Sequence, residues 1–308
     1  MPSPTSRQVH LDTALTNVSI AYRNAAYIFD QIFPIVTVAK QSGKYFVFGQ
    51  DAWYRDETAV RAPGTKAARA DYTLSTSSYL CVEKALAKQV PDEVQENADD
   101  PLRPMITATE YVSDQLLKSI EIDVLTNAVF STGWSNSATP GTLWSSDAAD
   151  PWGDIETGMN AVAQAIGREP NVAVIGRGLW RYLVNHPDVI DRIKGGATTN
   201  GPAVARMEAI AAIAGLEKVL VARSIRDTAV EGKTASKAFI GGTHMFLGYV
   251  TPSAAIDNPT AGYVFQWKTR EVNRYREDQE HADVVEARAS WDVLVTAPDS
   301  GYLIKSAA

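Results

Sequence analysis

Residues 49–71 constrain the fold more than any other part of the sequence. They separate two runs that are predicted to be β-strands, residues 44–48 and 72–90, yet they contain only three large apolar or aromatic residues. The first run consists of β-branched and aromatic residues around one lysine, which favour extended backbone. Loops of this length are uncommon inside compact domains and usually have a function. The sequence therefore predicts a long hairpin that projects from the rest of the chain.

A long helix is predicted after the hairpin, over residues 101–130. Asp100 is a favourable N-cap residue, and Pro101 suits the first position of a helix. Apolar residues then recur at helical spacing as far as Val129. At about 1.5 Å per residue this helix would extend on the order of 40 Å. That length exceeds what the core of a small domain requires.

The remainder of the chain divides at a linker rich in glycine, serine, asparagine and proline, residues 131–153. Residues 154–262 then alternate between amphipathic helices and short buried strands, which indicates a mixed α/β layer. Residues 263–308 contain two long runs in which apolar and polar side chains alternate. Such a period of two indicates half-buried strands. A chain of 308 residues suits roughly two domains.

Composition excludes several classes of protein. The formal net charge is −7, which argues against a protein whose main task is gripping nucleic acid, because such proteins present a basic face. No apolar run approaches the ~20 residues of a membrane helix, so no membrane partner is expected. The single cysteine, Cys81, forbids an intramolecular disulfide and favours a reducing compartment.

Residues that could carry chemistry are few and lack partners. His186 lies at a predicted helix break, where histidine usually packs or caps, and Cys81 lies in an extended run. The glycine pair at Gly176 and Gly178 lacks the third glycine of a dinucleotide-binding turn, so a tight strand-to-helix turn is predicted. The acidic residues between 92 and 100 lack the ligand order of a calcium loop. We predict no catalytic, cofactor-binding or metal-binding residues, no cofactor, and no enzymatic activity.

The order of these parts, together with four short runs, resembles a known family. The runs are residues 32–36, 42–46, 61–64 and 97–101, at the end of the first segment, in the hairpin and at the entry to the long helix. Similar runs occur in tailed-phage major capsid proteins of the Hong Kong 97 fold. The resemblance covers nearly the whole chain in element order, although no single motif is diagnostic.

The resemblance implies an α+β Hong Kong 97-type capsid fold with five parts. These are an N-terminal arm (1–40), an extended loop (41–80), a peripheral domain (81–153) with a spine helix (101–130), an axial domain (154–262), and return strands of the peripheral domain (263–308). The type member has a long coiled-coil segment ahead of its mature N-terminus, and this sequence shows none. We therefore expect a separate scaffolding protein or a processed form.

The function implied by the resemblance is that of a structural protein. It would self-assemble as pentamers and hexamers into the icosahedral head of a double-stranded DNA bacteriophage and protect the packaged genome. A scaffolding protein and a portal are expected partners, a decoration protein is a further candidate, and the acidic chain should contact DNA only weakly. The protein would lie in the virion capsid, and in the host cytoplasm during assembly.

Candidate residues for contacts between subunits follow from the same resemblance. They are the charged residues of the extended loop and two aromatic residues of the arm: Arg55, Asp56, Glu57, Arg61, Lys66, Arg69, Phe29 and Phe33. An asparagine that could form a covalent cross-link with Lys66 is not identifiable. We therefore predict that neighbouring subunits are held together by non-covalent contacts.

Two other classes of function remain open at this point. An encapsulin-type nanocompartment shell has the same fold and would enclose a cargo enzyme in place of DNA. A soluble α/β enzyme would use the mixed middle region, with His186 and the turn at residues 176–178. The identity of neighbouring genes would distinguish a phage head from a nanocompartment shell. Electron microscopy would distinguish either shell from a soluble enzyme.

Overall fold

The structure, a computed structural model, describes residues 10–11, 27–48, 54–71, 74–98, 103–194, 207–252 and 260–308. No helix in these ranges is long and apolar enough to cross a membrane. The described strands form two five-stranded sheets and two separate two-stranded hairpins. Most of the predicted arm lies outside the described residues.

Fourteen strands are described. In chain order they are β1 (His10–Leu11), β2 (Ile35–Thr37), β3 (Ser42–Phe48), β4 (Leu74–Leu80), β5 (Val82–Pro91), β6 (Asn136–Ala138), β7 (Val172–Gly176), β8 (Lys218–Ala222), β9 (Ile225–Asp227), β10 (Lys237–Phe239), β11 (Met245–Gly248), β12 (Gly262–Glu277), β13 (Ala282–Val295) and β14 (Gly301–Ile304).

Seven α-helices are described: α1 (Phe29–Ile32), α2 (Asp92–Glu96), α3 (Pro104–Asp123), α4 (Pro151–Ile166), α5 (Arg177–Asn185), α6 (Pro187–Lys194) and α7 (Met207–Ala214). A π-helix (Val124–Val129) continues α3, and a 3₁₀ turn (Pro298–Ser300) precedes β14. The break between α5 and α6 at Pro187 confirms the prediction from sequence.

The first sheet is formed by the long strands β12 and β13, and its order is β1-β12-β13-β5, with β2 parallel to β12. The two long strands pair antiparallel along most of their length, with irregular register between Gln266 and Glu271. Helix α3 packs across β13 and β5. Buried side chains of the helix, such as Val112 and Leu116, join Val285 and Ala287 of β13 in one apolar cluster. This helix is the predicted spine helix.

The spine helix begins later than the sequence predicted. Arg103 is its N-cap residue and Pro104 stands in its first turn, where a missing N–H costs nothing. The predicted start at Asp100 and Pro101 lies outside the described residues. After Asp123 the helix widens into a six-residue π-helix, a rare conformation. Beyond its end, the Trp134 indole donates to backbone oxygens of this segment, and satisfies acceptors that the helix leaves open.

The second sheet has the order β6-β14-β11-β7-β8. Helices α4 and α5 pack against it around a second apolar cluster. Strand β14 lies between β6 and β11, so the closing segment belongs partly to this sheet. The sequence placed residues 263–308 together in the peripheral domain, whereas β14 pairs outside the sheet of β12 and β13. All four residues of β14 are buried, which suits an interior strand flanked on both sides.

Gly176 and Gly178 form the predicted tight turn between β7 and α5. Added Cβ atoms would collide with backbone oxygens of the facing Gly241–Gly242 turn, because the two turns approach backbone to backbone. The glycines are therefore required for close packing of the turn, and phosphate binding is not needed to explain them.

We expect Gly176→Ala to destabilise the chain by about 1–3 kcal/mol, since overpacking forces the facing backbone to move. Gly141→Ala is the matched control, because an added Cβ there meets no atom within 4 Å. Chemical unfolding of the unassembled subunit measures both. Equal stability of the two variants would contradict the close approach at Gly176.

Candidate functional site

The residues with catalytic potential are used in packing. His186 is buried, and its Nε2 donates to the backbone oxygen of Ser146 at 3.1 Å. Cys81 is fully buried, and burial raises the pKa of its thiol, which disfavours the reactive thiolate. No group of three or more metal-ligating side chains occurs in the part of the chain that the structure describes. The packing roles predicted for His186 and Cys81 are confirmed.

The extended loop is the most unusual surface of the molecule. Strands β3 and β4 form a hairpin whose register runs from Ser42 opposite Leu80 to Phe48 opposite Leu74. Every residue from Tyr54 to Asp71 is exposed. The loop therefore contributes almost nothing to the core of its own subunit, as the sequence predicted.

Two tyrosines attach the base of this hairpin to the first sheet. The Tyr79 ring stacks on Phe265 of β12 with centroids 4.9 Å apart, and Tyr45 lies 5.6 Å from the same ring. Gly43 lies against the Tyr79 ring, where any Cβ would collide with it. One face of the hairpin is thereby fixed on the subunit.

The opposite face of the hairpin is exposed, and two large apolar side chains stand there among serine, threonine and lysine. Phe46 is 59% exposed and Leu80 is 56% exposed. Neither residue was predicted from the sequence to contact another subunit, although the period of two in β3 and β4 places Tyr45 and Phe46 on opposite faces. Their exposure indicates a surface that the isolated subunit leaves uncovered.

The charged candidates of the loop make few contacts within the subunit. Arg55 lies 3.5 Å from Glu57. Asp56 accepts hydrogen bonds from the backbone and hydroxyl of Thr58, and these lower the pKa of its carboxyl. The other three cations make no ion pair within the described ranges: Arg61, Lys66 and Arg69. They are available to another chain.

The two aromatic candidates of the arm have different environments. Phe29 is half-buried at the edge of the first apolar cluster, so a contact with another subunit stays a prediction. Phe33 is 1% exposed and packs near Gly262 inside that cluster. The prediction that Phe33 contacts a neighbouring subunit is therefore wrong, because its surface is already covered by its own chain.

Tyr54 makes a contact that the sequence could not indicate. Its hydroxyl donates to the backbone oxygen of Ile166 at the end of α4, and its ring lies beside Gly167. The partners are 112 residues apart, and no local pattern connects them. This contact brings the beginning of the described loop onto the helix layer of the second sheet.

Comparison with known proteins was made by sequence and by structure. No family model matches the chain. It is 26% identical to the major capsid protein of Burkholderia phage BcepMu over 304 residues, which are 96% of this chain and 95% of that protein. It is 24% identical to the major capsid protein of Pseudomonas phage JBD67, with 96% and 97% covered.

Solved structures share the fold over nearly the same length. A phage-related protein of Bordetella bronchiseptica RB50 matches with a TM-score of 0.71 and 23% identity, and 97% of this chain and 98% of that chain are covered. The capsid of cyanophage P-SCSP1u matches with a TM-score of 0.60 and 14% identity, with 92% and 89% covered. The chain has the fold of phage capsid proteins.

The α+β capsid fold predicted from the sequence is thus confirmed. The fold also occurs in a virus-like particle of Pyrococcus furiosus, with a TM-score of 0.58, 9% identity, and 95% and 97% of the two chains covered. Similarity of fold alone therefore does not distinguish a phage head from another shell. The full-length sequence similarity favours a phage capsid protein, because both relatives named above are phage major capsid proteins.

One buried carboxylate joins three parts of this capsid fold. Glu121 of the spine helix has no exposed surface. Its Oε2 accepts from the backbone N–H groups of Ile28 and Phe29, at 3.1 and 2.9 Å, and its Oε1 accepts from the Ser224 hydroxyl at 3.0 Å. Burial raises the pKa of Glu121 from 4.5 to about 6, although these hydrogen bonds oppose the rise. The arm, the spine helix and the loop after β8 therefore meet at one acid.

We expect Glu121→Gln to be more stable than the wild type at about pH 7.5 and equally stable near pH 4.5. The raised pKa means that the folded chain binds this proton more tightly than the unfolded chain. Protonated Glu121 therefore stabilises the folded wild type fully below about pH 4.5, and this contribution is lost as the pH rises through about 6. The pKa change corresponds to roughly 2 kcal/mol.

Urea unfolding of the unassembled subunit across this pH range measures the difference between the two proteins. Glu121→Ala is the control and should be less stable at every pH, because the N–H groups of Ile28 and Phe29 lose their acceptor. A difference between Gln and wild type that stays constant with pH would contradict the assignment.

Proposed function

We propose that this chain is the major capsid protein of a tailed double-stranded DNA bacteriophage. The observation that carries the proposal is similarity to phage major capsid proteins across 96% of the chain. Copies of the chain assemble into an icosahedral head that protects the packaged genome. The chain acts as a structural protein and needs no cofactor for this role.

The extended loop supports self-assembly by its composition and exposure. Its charges would contribute only ~0–1 kcal/mol each as exposed pairs within one subunit. Between subunits, the same charges fix the register of docking and reject wrong partners. The loop candidates Arg55, Asp56, Glu57, Arg61, Lys66 and Arg69 therefore contact a neighbouring subunit, and Phe29 extends that contact at the arm.

The other partners that we propose are those of the tailed-phage capsid proteins that the chain resembles. Pentamers and hexamers form the shell, a scaffolding protein guides it, and a portal occupies one vertex. A decoration protein is a candidate for the outer surface. The net charge of −7 supports only weak contact with packaged DNA, because strong attraction requires a basic surface. Assembly takes place in the host cytoplasm before the protein resides in the virion capsid.

The proposed division into parts keeps an arm (1–40), an extended loop (41–80) and an axial domain that begins near residue 154. The peripheral domain contains the spine helix and the β12–β13 pair. Strand β14 is assigned to the axial sheet, because it pairs with β11 and β6.

We expect the purified wild-type chain to form closed shells when it is expressed alone or with its scaffolding protein. Negative-stain electron microscopy and light scattering detect them. Shells that contain a cargo enzyme in place of DNA during native expression would favour the nanocompartment alternative. A chain that remains monomeric under all salt and scaffold conditions would contradict the proposed function.

Charge reversal in the loop should block assembly without unfolding the subunit. We expect the triple variant Arg55→Glu, Arg61→Glu and Arg69→Glu to keep a thermal unfolding temperature near the wild-type value. The loop is exposed and contributes little to the core. Shell yield should fall by at least about tenfold, since like charges at an interface cost several kcal/mol. The same three positions changed to Lys provide the matched control, in which charge and assembly are retained. Normal shells from the Glu variant would show that the loop is only a solvated surface.

A further inference from the structure

A groove of about 320 Å³ lies at one end of the first sheet. It is bounded by the last residues of β5, by α2 and by the beginning of the spine helix. Its floor is apolar, with Val90 and Ala108 buried, and Val94 stands exposed at its wall. Among the described strands, β5 pairs only with β13, so this edge of the sheet is open.

Two cations, Lys88 and Arg103, line the groove. Both are exposed, and neither makes an ion pair with a carboxylate in the described ranges. The Lys88 ammonium lies 5.7 Å from the centre of the Tyr111 ring, on the side of the sheet that faces the spine helix. An apolar floor with two exposed cations fits a segment that carries carboxylates.

The same end of the molecule presents such a segment. The turn between β12 and β13, residues 278–281, contains two exposed acids, and the Asp278 side chain is 92% exposed. The nearest cation is largely used by another acid. Arg276 binds both carboxylate oxygens of Asp92, at 2.5 and 2.6 Å, while its Nε lies 3.6 Å from Asp278. Asp278 is therefore available for a second cation.

The turn is held by its own subunit beside the groove, at the open edge of β5. Glu280 accepts from the Gln89 side chain at 2.6 Å, and the backbone oxygen of His281 accepts from the N–H of Asp92. Neighbouring side chains of a strand point to opposite faces, so Gln89 and Lys88 lie on different sides of β5. Within the described ranges Asp278 pairs with Arg276 and with neither Lys88 nor Arg103, so the two cations of the groove are left for another molecule.

We infer that the groove of one subunit receives the acidic turn, residues 278–281, of a second copy, with Asp278 paired to Arg103 and Lys88. The groove and the turn lie side by side, because Pro91 is paired with Ala282 in the sheet. A head-to-tail contact between two such patches forms a closed ring where the rotation between copies closes, as a closed shell requires. The inference rests on the proposed function, since it assigns one interface of the shell.

Charge reversal and its compensation test this contact. We expect Arg103→Glu and Asp278→Arg each to lower shell yield by about tenfold or more, because each places like charges in contact. The double variant should regain most of the wild-type yield. Glu231→Arg, which changes an exposed acid on the turn between β9 and β10, is the matched control and should assemble normally.

A second measurement does not depend on yield. Arg103→Cys combined with Asp278→Cys should form disulfides between subunits after oxidation of assembled shells, and each single variant should not. The largest covalent species on a non-reducing gel counts the copies around the axis. Cys81 is buried and should not react.

The outcomes separate the two proposals. If the wild type forms no shells, the proposed function fails and this interface fails with it. If the wild type forms shells but both single reversals assemble normally, or the double variant assembles no better than the single ones, only the interface is wrong. Disulfides confined within one subunit would likewise overturn it.

Discussion

The apolar contact of the spine helix with strands β13 and β5 is the interaction on which the rest of the fold depends. The same apolar cluster continues into the second sheet through Val174, Phe246 and Leu303, so one core connects both sheets. Glu121 lies within this contact and fixes the end of the arm and the loop after β8 by hydrogen bonds. A disturbance along the spine helix therefore reaches every major part of the subunit.

The surface, unlike the core, includes several features that the subunit itself leaves uncovered. The subunit leaves the long loop, one face of the hairpin and the groove beside β5 uncovered, and the loop from Tyr54 to Asp71 contributes almost nothing to the core. Exposed features of this kind are explained if they form contacts between copies of the chain. The two tyrosines on Phe265 hold the hairpin base in place, so the loop is presented in a fixed direction even though its distal residues make little contact with their own subunit.

Local sequence patterns predicted the elements better than their partners. The period of two in β12 and β13 and the proline at position 187 gave the correct elements, because these signals act on neighbouring residues. The pairing of β14 with β6 and the contact of Tyr54 with Ile166 join segments far apart in sequence, and no local signal encodes them. Likewise, Phe29 and Phe33 look alike in sequence, but the helical turn between them leaves one half-buried and buries the other. Within the candidate surfaces, the sequence indicated the charged loop and missed the exposed side chains of Phe46 and Leu80.

The interior position of β14 has a consequence for the timing of folding. The ribosome makes this strand after every other strand of its sheet, yet it lies between β6 and β11. Until residue 304 has emerged, β6 lacks its pairing partner and β11 has an open edge. The second sheet is therefore complete only after residue 304 has been made, and β6 and β11 stay open to other pairing partners until then.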